Sequence, residues 1–202
     1  MATEIRAFGL WPIDQIKVED PGLVRYMTLE PRFVPKTGAR YAGQRFHKSK
    51  IFIVERFINK LMVPGHIKKH KHYRSSGTCT GKSTTMYQAV LDAFKMIEQK
   101  TKKNPLTVFV KAVENAAPRE EIVTIEYGGA RYPKAVECAP QRRVDVAIKH
   151  MVWGIYGKRF NTKKTVEESI AEEILACYAQ DAAKSNSIAK KLEMERQADA
   201  SR

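Results

Sequence analysis

The chain has 202 residues, with 36 lysines and arginines against 22 aspartates and glutamates, a formal charge of +14 and a 43% hydrophobic share. That length fits one domain with extensions, and the apolar content suffices for a packed core, which argues against a disordered chain. The basic excess argues against an ordinary metabolic enzyme and for a polyanion partner, because cations that neutralise phosphates release condensed counterions.

Residues 1–48 show no sustained period and are punctuated by Pro12, Pro21, Pro31 and Pro35, so they read as an extended N-terminal arm ahead of a single helical domain over 49–202. Within the arm, Arg32, Lys36, Arg40, Arg45 and Lys48 alternate with Phe33, Tyr41 and Phe46. Cations and stacking rings on an extended strand suit a phosphate backbone and unstacked bases; a solvated terminus is the alternative. From Ile51 the chain turns periodic. Ile51, Val54, Ile58 and Leu61 form one helical stripe closed by Pro64-Gly65. A second stripe runs Met86, Val90, Ala93, Phe94 and Ile97, ending in Lys100, Lys102 and Lys103, which suit the negative end of a helix dipole. Asn104-Pro105 reads as N-cap and first residue of a third helix carrying Phe109, Val110 and Val113 inward.

Strand character is confined to about 121–138, where IVTIEY, a Gly128-Gly129 turn and RYPKAVEC predict a hairpin with Glu126 opposite Arg131 and Ile125 opposite Tyr132. Pro133 cannot donate a ladder bond, so this is an exposed ribbon, expected to persist by packing on something outside the chain. Helical spacing resumes with Val144, Ala147, Ile148, Met151, Val152 and Ile155; Arg142, Lys149 and Tyr156 line another side, and Gly154 and Gly157 are expected to loosen the end. After the basic loop KRFNTKK, which holds Lys158 and Arg159, Thr165 and Glu168 form a capping-box pattern opening a fifth helix. A sixth, from about Asn186, is sparse in apolar residues and reads as solvated or partner-facing. The fold class is therefore mainly α, a bundle of about six helices with one β-hairpin thrust out between the third and fourth.

The charge is localised. Residues 49–81 hold seven basic residues and one acidic, residues 140–164 again seven and one, while residues 165–202 carry an acidic excess of three. Two separated basic islands predict one face assembled from distant segments, with the acidic C-terminal stretch left for a protein neighbour.

Other signals carry less. Gly77-x-x-x-Gly81-Lys82-Ser83 is one residue short of a phosphate-binding P-loop, and HIKKHKHYRSS before it is no buried strand, so a loop feeding a helix N-terminus fits better. His66, His70 and His72 with Cys79 match no zinc-finger spacing, and Lys68, Lys69, Lys71 and Arg74 between them would repel a cation. Cys79, Cys138 and Cys177 fit neither a disulfide framework nor a four-cysteine site, which points to a reducing compartment. Glu167, Glu168, Glu172 and Glu173 read as a helix N-terminal charge with a solvated or partner-facing side. No apolar run approaches the roughly 18 residues of a membrane span, and MATEIRAFGLWP lacks the basic and apolar regions of a secretory leader. No catalytic set, metal site or cofactor is expected. A duplex-DNA regulator of helix-turn-helix type is the alternative reading of a basic helical bundle.

The runs SKIFIVERFINKLMVPG, NPLTVFVKAVENAAPREE, APQRRVDVAIKHMVWG and KTVEESIAEEI with SNSIAKKLEMER, in unbroken order over roughly residues 25–202, closely resemble the universal small-subunit ribosomal protein S-seven family. GARYAGQRFHKSK and the basic insertion around 65–80 resemble its archaeal and eukaryotic branch. The resemblance implies a cytoplasmic, non-enzymatic constituent of the small-subunit head that binds the 3′ major domain of the rRNA and nucleates head assembly. It also implies a hairpin near E-site tRNA and the mRNA exit path, and neighbouring proteins of head and platform. Carried onto this chain, the RNA-contacting candidates are Arg40, Arg45 and Lys48 in the arm, Lys82 and Ser83 at the loop–helix junction, Arg119 before the ribbon, and Arg142 and Arg143 opening the fourth helix. The basic segments add Arg32, Lys36, Lys68, Lys69, Lys71, Arg74, Lys149, Lys158 and Arg159, and the ribbon presents Tyr127, Gly128, Gly129, Arg131, Tyr132 and Lys134.

Overall fold

In the computed structural model, residues 5–30, 36–65, 67–69, 72–74 and 81–202 are described. Six helices form the body: α1 (Ile53–Met62), α2 (Ser83–Thr101), α3 (Pro105–Ala116), α4 (Pro140–Arg159), α5 (Val166–Tyr178) and α6 (Asn186–Ala200). Several ends follow from local chemistry. The Asn104 side chain accepts the Leu106 N–H with Pro105 in the first turn, and Thr165 and Glu168 close a reciprocal capping box at α5. The α1 helix stops at Met62, just before Pro64-Gly65.

Helix α5 is the central element, packing against α2, α3 and α4. Its Ile170, Ile174 and Cys177 are fully buried. A run of rings crosses the core: Trp11 to Phe94 at 5.9 Å, Phe94 to Phe109 at 5.8 Å, and Phe109 to Phe57 at 5.1 Å between centroids. Trp11 belongs to the stretch that the sequence pattern separates from the body. Residues 5–30 are mostly irregular, yet Trp11, Ile13, Ile16, Leu23 and Met27 all enter the same core. A short pair, β1 (Arg6–Ala7) with β2 (Trp11–Pro12), starts this segment, and Asn104 Nδ2 donates to Pro12 O at 2.9 Å to tie it to α3.

The expected hairpin is β5 (Glu120–Tyr127) with β6 (Ala130–Glu137), in the expected register: Glu126 faces Arg131 and Ile125 faces Tyr132. Gly128 and Gly129 both have positive φ, the conformation a two-residue hairpin turn demands. The structure adds a second short hairpin in the basic insertion, β3 (Ile67–Lys69) with β4 (His72–Arg74). His66, His70, Lys71, Gly77 and Cys79, and Arg32 of the arm, lie outside the described residues.

Three expectations are corrected. The ribbon has a partner inside the chain, because α6 packs on its root: Glu195 Oε1 accepts the Arg119 N–H at 3.1 Å, and Arg202 pairs with Glu120. So α6 is docked, with Ile188 and Ala198 buried. Second, α4 runs unbroken through Gly154 and Gly157 to Arg159. Third, Glu173 is neither solvated nor partner-facing but fully buried; it pairs with Lys158 Nζ at 2.7 Å and accepts from Ser185 Oγ at 2.9 Å and Ser187 N at 3.3 Å. Gly154 leaves room for that carboxylate, since a Cβ there would lie 2.8 Å from Glu173 Cδ.

Candidate nucleic-acid interface

Residues three, four and seven apart share a helix face, so Arg142, Asp145 and Lys149 form one line on α4, about 10 Å long at 1.5 Å per residue. Asp145 is the one acid in the second basic island, and it is the pivot of that line. Its Oδ2 accepts from Lys48 Nζ at 3.1 Å and its Oδ1 from Arg56 Nη2 at 2.8 Å. Arg56, on α1, is almost wholly buried and donates again to Tyr26 O at 3.0 Å.

The one acid of the first island, Glu55, does a parallel job at the start of the arm's 37–48 span. Its buried Oε1 accepts from both the N–H and the Oγ1 of Thr37, each at 2.8 Å. Thr37 and Lys48 are thus fixed by the lone carboxylates of the two islands. Lys36, Arg40 and Arg45 are held exposed on or beside that span. Arg45 lies 5.1 Å from the Phe46 ring centroid.

One turn beyond Asp145, Lys149 Nζ sits 4.5 Å from the Trp153 ring centroid, and the Trp153 indole N–H donates to Pro64 O at 2.9 Å. Pro64 is the root of the basic insertion, where Lys68 and Lys69 lie on β3 and Arg74 on β4. The arm and the foot of the insertion are thus both tied to α4, the arm at Asp145 and the insertion at Trp153.

Other expected cations divide by environment. Lys82 is exposed at the N-cap of α2 and Ser83 is its half-buried first residue, consistent with a loop feeding a helix N-terminus. Arg119 is exposed before the ribbon and Arg159 ends α4 in solvent. Arg143 and Lys158 serve the fold. Arg143 is largely buried, donating to Asp20 Oδ2 at 2.7 Å and Pro118 O at 3.0 Å, and Lys158 neutralises Glu173. Burial alone would raise the Asp20 carboxyl, but the Arg143 guanidinium and the Gly22 N–H outweigh it and hold the group below its ordinary value.

At the start of α4, Arg142 donates through Nε and Nη2 to both Glu121 oxygens, at 2.5 and 2.6 Å. Beside this pair, burial and then the Glu121 carboxylate push the Cys138 thiol up to about 11, so it is an inert, protonated group.

On the ribbon, Val123, Ile125 and Tyr127 share one face with Tyr132 and Lys134, their cross-strand neighbours, while the Glu126–Arg131 pair lies on the other. The apolar face is open: Tyr127 is 81% and Tyr132 58% exposed. Stacking partners for such a face would be bases or another protein's apolar surface.

Residue type alone pointed to most of these cations. Asp145, Glu55, Glu121 and Trp153 escaped that reading because each acts through a partner distant in sequence. A usable signal existed for two of them: an isolated acid inside a strongly basic island is out of place unless it holds something.

No helix among the described residues is long and apolar enough to cross a membrane. The family model for ribosomal protein S7p/S5e matches residues 23–202. The chain is 50% identical over 199 residues to the small ribosomal subunit protein uS7 of Nanoarchaeum equitans, covering 98% of this chain and all of that protein. It is 41% identical over 199 residues to the small ribosomal subunit protein uS7 of Archaeoglobus fulgidus, covering 98% of this chain and 96% of that one. Both relatives are archaeal, in line with the branch that the arm and basic insertion resemble. With the fold, its single long hairpin and the match over nearly its whole length, the chain belongs to the ribosomal protein S7p/S5e family.

Proposed function

We propose that this protein is a structural and assembly component of the small ribosomal subunit. It docks on the 3′ major domain of the rRNA through the α4 line and the arm, and so nucleates the head. The observation that supports the reading is that α4 holds segments of both basic islands and of the arm together, through Asp145 to Lys48 and Arg56 and through Trp153 to Pro64, an arrangement suited to a folded polyphosphate. Arg40, Arg45, Arg142, Lys149 and Arg159 supply its outward cations, with Lys36, Lys82 and Arg119 near its margins, while Arg143 and Lys158 brace it from behind. The ribbon, projecting with its aromatic face open, reaches toward E-site tRNA and the mRNA exit path, and the exposed side of α6 is left for neighbouring head or platform proteins.

The test is co-sedimentation of the purified chain with small ribosomal subunits in high salt, followed by competition between structured rRNA and duplex DNA. Retention on subunits and preference for rRNA are expected. Release in high salt together with a preference for duplex DNA would replace this reading with that of a DNA-binding regulator.

A further inference from the structure

Arg142 and Arg143 occupy the first turn of α4, the end where the helix dipole disfavours cations and where no acid stands in the turn itself. Each is matched by a carboxylate from elsewhere, but with opposite outcomes. Arg143 is enclosed by Asp20 and Pro118 O, its side chain 13% exposed. Arg142 remains 58% exposed although bidentately bound, while its partner Glu121 is only 14% exposed. The buried member of this pair is therefore the acid.

A guanidinium has five N–H donors in a rigid plane, and the contact through Nε and Nη2 uses two of them. The other three are not used by Glu121, and the side chain as a whole is 58% exposed. Arginine without such a brace would have more rotamer freedom to lose on contact.

We infer that Glu121 is a positioning residue for RNA recognition: it orients the Arg142 guanidinium so that its outer edge meets a phosphate, and thereby couples the root of the ribbon to the rRNA-facing line of α4. The inference rests on the reading of that line as an rRNA surface. It makes a counterintuitive prediction. Simple electrostatics says that removing a carboxylate from an RNA-binding face raises affinity; a positioning role says that it lowers it.

The experiment measures binding of the full chain to a transcript of the 3′ major domain of small-subunit rRNA across a salt series, with circular dichroism melting as a check on folding. Arg142→Met is expected to weaken binding about tenfold, the scale of one charged hydrogen-bonded contact, and to reduce the salt slope by about one unit. Glu121→Gln is expected to weaken it about threefold to tenfold with the slope unchanged, because the phosphate contact survives but the side chain must be ordered on binding. The exchange Glu121→Arg with Arg142→Glu should restore melting without restoring affinity. Equal or tighter binding by Glu121→Gln, or recovery of affinity in the exchanged pair, would overturn the positioning role while leaving the rRNA surface in place. Wild-type binding by Arg142→Met would overturn the contact itself, and with it both readings of this residue.

Discussion

Gly154 on α4 and Glu173 on α5 approach so closely that any side-chain carbon on the glycine would press into the buried carboxylate, at 2.8 Å from its Cδ. The glycine is there for space, since α4 continues past it with no break. Gly154→Ala is therefore expected to destabilise the protein by about 2 kcal/mol. Overpacking costs about 1–3 kcal/mol, and displacing Glu173 from Lys158, Ser185 and Ser187 outweighs the alanine's helix-propensity gain of about 1 kcal/mol. Urea unfolding monitored by far-UV circular dichroism checks the sign; a gain in stability would show that Glu173 can move at no cost.

His150 gives the protein a pH dependence. Burial, and then Lys149 and Lys190 against the opposing pull of Glu193, lower its imidazole to about 4. The folded state thus refuses a proton that the unfolded chain accepts below its ordinary value near 6.5. The stability contributed is present above that value and is lost as pH falls from 6.5 toward 4. Discounted for partial exposure, the loss is about 2 kcal/mol. Unfolding midpoints at pH 7 and pH 4.5 should differ more in the parent than in His150→Gln, and an NMR titration should show no midpoint near 6.5 for the His150 imidazole.

The ribbon's aromatic face contributes little to the isolated fold. Tyr127→Ser and Tyr132→Ser remove side chains that are 81% and 58% exposed, so each should change stability by under about 0.5 kcal/mol. A defect that appears only in subunit association would place the role of these rings outside the chain. A large drop in melting temperature would contradict the open face described above.

The root of the same ribbon should behave in the opposite way. Truncation before Asn186 removes Ile188 and Ala198 from the core, together with the Glu195 and Arg202 contacts to Arg119 and Glu120. A loss of about 3 kcal/mol is expected, on the order of 10 °C in melting temperature for a chain of this size. Hydrogen exchange at the Glu120–Val123 amides should accelerate much more than at α3. Unchanged protection there would mean that the ribbon stands without α6.

What could be read from the sequence was what is local. Asn104-Pro105, the Thr165 and Glu168 box and the Glu126–Arg131 register are settled by residues one to five positions apart, and all three are found. Trp11 and Leu23 were not legible as core, because isolated apolar residues in an irregular stretch leave no period. Glu173 looked solvated because its neighbours Glu167, Glu168 and Glu172 are surface acids, and its partners Lys158 and Gly154 lie on another helix. For the candidate interface, cation type and clustering were visible, but the division into outward cations and internal braces depends on which carboxylate the fold brings to each.

The anchoring of Thr37 by Glu55 and of Lys48 by Asp145 bears on how association should look calorimetrically. A segment folded only on contact would give binding a large negative heat-capacity change and a slow, temperature-sensitive association step. With residues 37–48 already spanned between α1 and α4, their share of that cost is met during folding of the chain itself. Docking of this stretch should then proceed as a near rigid-body encounter, its rate set by charge steering and falling steeply with ionic strength.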